Sequence, residues 1–229
     1  MRFAAIAFIW LASWSLPGMA QERPSGPTRE GAVALARQGD LEQALTMLDA
    51  LHRASPEDAA VTHDYIVVLG WAERDAEAIE LFRTLPPGQA PGYVVSAAAR
   101  SSRNLGRYDE ALDLYGQGQS RWPGNTEFAL GEVHTLLDAG RHDEATDLAE
   151  RLASGQPNNA DVLAAYGRVL QLKGRHAEAL TISTQILALQ PDHPDGQRLR
   201  ILSLSETGAP ELALSFSRRS ALRPLYRCS

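Results

Sequence analysis

The segment Gly106-Arg-Tyr-Asp-Glu-Ala111 decides the fold of this chain, because its pattern recurs along the sequence. Five further segments end in Ala five residues after a Gly, or after Glu73 in one case; they are 39–44, 73–78, 140–145, 174–179 and 208–213. The six alanines follow one another at spacings of 34, 33, 34, 34 and 34 residues. A constant period of this length predicts a repeat architecture built from one small supersecondary unit.

The residue types within each unit indicate two helices joined by a tight turn. Gly tolerates a left-handed backbone and suits the turn, and acidic residues before the Ala favour the start of the second helix. A proline lies 12 residues beyond the Ala in four units and ends that second helix; the prolines are Pro56, Pro123, Pro157 and Pro191. This combination resembles the tetratricopeptide repeat.

That resemblance implies an all-α protein, an α-solenoid superhelix of about six helix-turn-helix repeats. The expected repeats lie near residues 25–58, 59–91, 92–125, 126–159, 160–193 and 194–222. The Pro- and Gly-rich segment 85–92 is the one irregular connection, and we expect it to break or re-aim the solenoid between the second and third repeats.

Both ends of the chain differ from the repeats. Residues 1–20 combine Arg2, a 14-residue apolar run and small residues at 18 and 20, which predicts a signal peptide cleaved before Gln21 and a short linker at 21–24. An uncleaved membrane anchor is the alternative, although a spanning helix needs about 20 apolar residues. The basic tail 223–229 is either a frayed end or the end of a chain cut short by a stop or frameshift. The expected location is the periplasm, with association to the outer membrane left open.

Composition and motifs argue against several classes of function. A net charge of −6 argues against a nucleic-acid binder. The single cysteine, Cys228, excludes an intramolecular disulfide and a multi-cysteine metal site. The sequence has no phosphate-binding loop, serine-hydrolase elbow or zinc-protease motif. We therefore predict no catalytic site, no metal and no cofactor, and a mature chain that does not span a membrane.

The first helix of each repeat is expected to line a concave groove. Projecting the repeat register onto these helices predicts a face of carboxylates, arginines and aromatic rings, which suits an extended polar ligand or a peptide. The candidate groove residues are His63, Tyr93, Arg100, Arg103, Glu127, His134, Asp138, Asp161, Arg168, Asp195 and Arg198.

One segment carries a narrower resemblance. The turn Trp71-Ala-Glu-Arg-Asp-Ala-Glu77 is similar to early repeats in the periplasmic domain of the poly-β-1,6-N-acetyl-D-glucosamine export porin family. The resemblance implies a domain that meets a periplasmic polysaccharide deacetylase and guides partly deacetylated polymer. No run of alternating strands follows, so we expect that family's binding half without its β-barrel.

Deacetylated glucosamine units are cationic, and an acidic groove would attract them. Groove geometry makes Glu127, Asp138, Asp161 and Asp195 the candidates for that contact. The alternative is a generic periplasmic adaptor that binds protein segments during envelope assembly.

Overall fold

Twelve α-helices, and no strand, make up the part of the chain that the structure describes. The computed structural model describes residues 27–222. The helices are α1 (Arg29–Arg37), α2 (Leu41–Ala54), α3 (Ala59–Trp71), α4 (Asp75–Arg83), α5 (Gly92–Asn104), α6 (Tyr108–Arg121), α7 (Thr126–Asp138), α8 (His142–Gly155), α9 (Ala160–Leu172), α10 (His176–Leu189), α11 (Pro194–Glu206) and α12 (Pro210–Leu222). The predicted all-α helix-turn-helix fold is confirmed. The predicted signal peptide, the 21–24 linker and the 223–229 tail lie outside the described residues.

Local sequence sets where the helices begin. The side chains of Asp58, Asn125 and Asn159 accept hydrogen bonds from backbone amides in the first turns of α3, α7 and α9. These contacts satisfy amide groups that have no partner within the helix. The prolines predicted to end the second helices lie in the short loops before these caps, as Pro157 does between α8 and α9.

The turns inside the pairs depend on a left-handed residue. Glycines occupy this position in five turns, with φ between 71° and 91°; they are Gly39, Gly106, Gly140, Gly174 and Gly208. Glu73 holds the same position between α3 and α4 with a φ of 58°. It is the only residue other than glycine with a positive φ in the described chain.

The helices form two layers. Each odd-numbered helix contacts the next odd-numbered helix, and each even-numbered helix contacts the odd-numbered helices before and after it. Between residues 27 and 222 the backbones of the even-numbered helices stay apart from one another, and the Arg83 side chain of α4 reaches Glu110 of α6 over 2.9 Å. The inner layer of odd-numbered helices is therefore the tighter one and lines the concave side, as in other helical solenoids.

Small residues let the helices of the two layers approach closely. The repeated Ala44, Ala78, Ala111, Ala145 and Ala179 are fully buried at the crossings. Helix α4 is short, with 9 residues, and the 85–92 segment follows it. The expectation that this segment breaks the solenoid is wrong, because α3 and α5 pack directly against each other and share one apolar core with α4.

Candidate binding groove

The inner helices bring many of the predicted groove residues together in two adjoining cavities. The first, about 330 Å³, lies between α5, α7 and α9 and includes Arg100 and Glu127. The second, about 520 Å³, lies between α7, α9 and α11 and includes Arg168, Asp195 and Arg198. The cavities share Leu130, His134 and Asp161 in their linings, so together they form a continuous groove.

Ion pairs between neighbouring inner helices neutralise most of the charged side chains in the groove. The Arg100 guanidinium lies 3.6 Å from the Glu127 carboxylate. Asp138 lies between two arginines, 3.6 Å from Arg103 and 3.7 Å from Arg168. Within α11, Arg198 lies 3.4 Å from Asp195.

The balance of charge differs from a simple acidic groove. The candidate set contains four arginines and four carboxylates, so its formal charge is zero when the histidines are neutral. The paired side chains remain partly exposed, which leaves them able to exchange partners with a ligand. The net charge of the groove alone therefore does not attract a cation.

His134 lies where the two cavities meet and belongs to both linings. Burial, together with the nearby Arg103 and Arg168 guanidiniums, lowers the pKa of the His134 imidazole below its ordinary value. Its Nδ1 is buried without a hydrogen-bond partner. A neutral His134 ring leaves the surrounding arginines free of an additional like charge.

The sequence analysis missed His193, which is the buried partner of the groove residue Asp161. His193 is buried at the start of α11, where the backbone N–H of Gly196 donates to its Nδ1 over 3.2 Å. The Nε2 then carries the ring proton and donates to Asp161 Oδ1 over 3.1 Å. The only sequence signal is its place before Pro194 at a helix start.

The floor of the second cavity is more apolar than the sequence analysis predicted. Leu172 and Leu202 are 58% and 45% exposed and lie beside Leu130 and Leu199. Their exposure on consecutive inner helices creates an apolar strip between the charged edges of α9 and α11. The register projection selected polar residues and so passed over these leucines.

The N-terminal end of the inner layer carries an aromatic pair beside one ion pair. Tyr93 is 50% exposed, and its ring meets the His63 ring edge-on with centroids 6.4 Å apart. Burial lowers the pKa of the His63 imidazole. On the same helix as His63, Asp64 is bound by Arg29 over 2.8 Å. Tyr93 and His63 thus lie apart from the two cavities, and Arg103 and Asp138 also belong to neither lining.

Comparison with known sequences identifies the repeats. Models described as tetratricopeptide repeat match residues 30–94, 104–154 and 136–200, which together span most of the chain. The chain belongs to the tetratricopeptide-repeat family. Members of this family are interaction modules that present an extended concave surface, and they are generally non-catalytic scaffolds.

Curated relatives match a narrower part of the chain. The poly-beta-1,6-N-acetyl-D-glucosamine export proteins of Escherichia coli K12 and O157:H7 are each 31% identical over 110 residues. The match covers 48% of this chain and spans only 13% of the length of those relatives. It supports the predicted resemblance over about half of the chain.

Solved structures agree with the fold. A tetratricopeptide repeat protein from Parabacteroides merdae superposes with a TM-score of 0.65 at 15% identity, covering 83% of this chain and 76% of that one. PilF of Pseudomonas aeruginosa gives a TM-score of 0.64 at 17% identity, with 88% and 91% covered. At these identities the likeness concerns the solenoid alone.

Residues 27–222 contain neither a metal-binding cluster nor a membrane-spanning helix. Histidine, cysteine and acidic side chains of this region form no group of three or more able to hold a metal ion. No helix of the same region combines the length and apolarity that crossing a bilayer needs.

Proposed function

We propose that this protein is a non-catalytic periplasmic binding module of a poly-N-acetylglucosamine export system. In this role the groove guides partly deacetylated polymer or docks a periplasmic partner such as a polysaccharide deacetylase. The observation that carries the proposal is the 31% identity with the export proteins over 110 residues, within a matching repeat family.

A groove of balanced charge suits a polymer that is only partly deacetylated. Free amines of such a polymer are cationic and can donate to Glu127 or Asp161, while acetamide carbonyls and hydroxyls can accept from Arg100 or Arg168. Asp161 favours such an exchange, because its side chain is 72% exposed and its partner is one histidine. Each charge-assisted hydrogen bond contributes about 1.5–3 kcal/mol when its competitor is water.

The test is calorimetric titration of the protein, purified from cells that express the whole chain, with β-1,6-glucosamine oligomers. We expect partly deacetylated oligomers to bind more tightly than fully acetylated ones, and the affinity to fall as salt rises. Glu127→Gln with Asp161→Asn should weaken binding about tenfold. Asp147→Asn, on the outer helix α8, is the matched control. Absence of binding by a folded protein, or an equal loss in the control, would contradict the proposal.

The second candidate function is a periplasmic adaptor for protein segments. The apolar strip of Leu172 and Leu202 favours it, because an apolar side chain of a protein can fill the cavity while the arginines bind its backbone or acidic groups. Capture of periplasmic proteins by the native chain, compared with a Leu172→Ser and Leu202→Ser variant, separates the two functions. Loss of a captured protein with unchanged oligomer binding would favour the adaptor.

A further inference from the structure

A cleft on the outer layer lies outside the groove and has no role in the proposed function. It opens between α8 and α10, has a volume of about 540 Å³, and is floored by side chains of α9. We call this feature the outer cleft and define it by Leu163, Tyr166, Ile182 and Leu189, with Glu150 at its rim. The cleft exists because the backbones of α8 and α10 stay apart from each other.

The apolar side chains of the outer cleft are partly exposed to solvent. Tyr166 and Ile182 are half-buried and pack on the apolar core of the C-terminal repeats. Leu189 is 42% exposed at the end of α10, next to the exposed Ala188. An apolar floor with an open mouth is the usual geometry of a pocket that receives one side chain of a partner.

The charge at the rim indicates the chemistry of the partner. Helix α8 carries four carboxylates, of which Glu144 pairs with Arg141 and Asp143 with Lys173. Asp147 and Glu150 are exposed and form no ion pair with another described residue, and together with Arg151 they line a shallow depression next to the cleft. In contrast, the four groove carboxylates each have a cationic or histidine partner.

We propose that the outer cleft is a second docking site, which receives a protein segment that carries an apolar side chain flanked by lysine or arginine. The apolar side chain fills the space above Tyr166 and Ile182, and the basic residues pair with Glu150 and Asp147. A protein segment fits better than a polysaccharide, because partly deacetylated glucosamine has cations but no aliphatic or aromatic side chain to fill the cleft. The site is independent of the groove and does not require that the groove bind polymer.

The test uses a fluorescent synthetic peptide as the probe, with a central Trp-Leu pair flanked by lysines, and anisotropy as the measurement. We expect Leu189→Ser and Glu150→Lys, made separately in the whole chain, each to weaken binding about tenfold. The matched groove variants, Leu172→Ser and Glu127→Lys, should change the affinity less than about twofold. All four positions are exposed, and urea unfolding confirms that each variant is folded.

Two further measurements test the proposal. A peptide with glutamates in place of the lysines should bind at least about tenfold more weakly. A photoreactive probe should cross-link to α8 or α10. The proposal is overturned if the lysine peptide does not bind, if the groove variants weaken it as much as the cleft variants, or if partly deacetylated oligomers displace it. Displacement of the peptide by oligomers would place the polymer on the outer layer. Failure of the oligomers to bind at all would contradict only the proposed groove function.

Discussion

At the scale of single residues, the turn between α3 and α4 departs from the rest of the array. Glu73 adopts a φ of 58° at a position where five other repeats have glycine. A side chain in this conformation costs about 1 kcal/mol or more, because its Cβ approaches the backbone carbonyl. Glu73 is exposed, and within the described chain its side chain forms no hydrogen bond or ion pair that would offset this cost.

Glu73→Gly should therefore stabilise the protein by up to about 1 kcal/mol, although the greater freedom of glycine in the unfolded chain reduces the gain. The measurement is the free energy of unfolding in urea. Gly106→Ala, at the equivalent turn with a φ of 71°, is the reciprocal control and should destabilise by about 1 kcal/mol. Destabilisation by Glu73→Gly would show that the Glu73 side chain contributes more than its backbone costs.

At the scale of one helix, α6 contains two glycines with opposite roles. A Cβ added at Gly118 would lie 2.1 Å from the ring of Phe128, which is fully buried and stacks on Trp122. A Cβ added at Gly116 would meet nothing within 4 Å. Gly118 thus allows α6 to pack closely against α7, while Gly116 only adds conformational freedom.

Gly118→Ala should destabilise the protein by about 1–3 kcal/mol, because the added methyl group displaces Phe128. Gly116→Ala, in the same helix, should stabilise it by about 0.5–1 kcal/mol. Thermal and urea unfolding of both variants provide the measurement. Equal effects at the two positions would mean that helix propensity, and not packing against α7, decides the outcome.

At the scale of the whole molecule, each helix contacts only its near neighbours in sequence. A solenoid with this contact pattern unfolds in local units, since the loss of one pair removes only the interfaces on either side. Ser215→Pro in α12 should therefore abolish amide-exchange protection in α11 and α12 while α3 to α8 keep theirs. Proline inside a helix costs about 3 kcal/mol.

Gln117→Pro in α6 is the comparison for this measurement by hydrogen exchange. Both residues are exposed inside a helix, so the substitutions differ only in their place along the array. Gln117→Pro, in the centre of the array, should abolish amide-exchange protection in the helices on both sides of α6. A uniform loss of protection from Ser215→Pro would contradict local unfolding and indicate that the array behaves as one cooperative unit.

The candidate groove shows how far sequence reasoning reaches. The repeat register selected Arg100, Glu127, His134 and Asp161, and these four side chains share one cavity lining, because helical spacing fixes which side chains lie on one face. It missed Tyr115, which belongs to an outer helix and reaches the first cavity across Gly131. That approach depends on the packing of α6 on α7, and no spacing within either helix reveals it.

The sequence by itself determined the period, the helix pairs and the glycine turns. These features follow from local backbone preferences and from regular spacing along a chain. Only the tertiary structure decided the ion pairs between the groove helices, the Asp161 partner His193 and the opening of the outer cleft. Each of these depends on distances between helices some 30 residues apart, and those distances are set by how the side chains of neighbouring repeats pack.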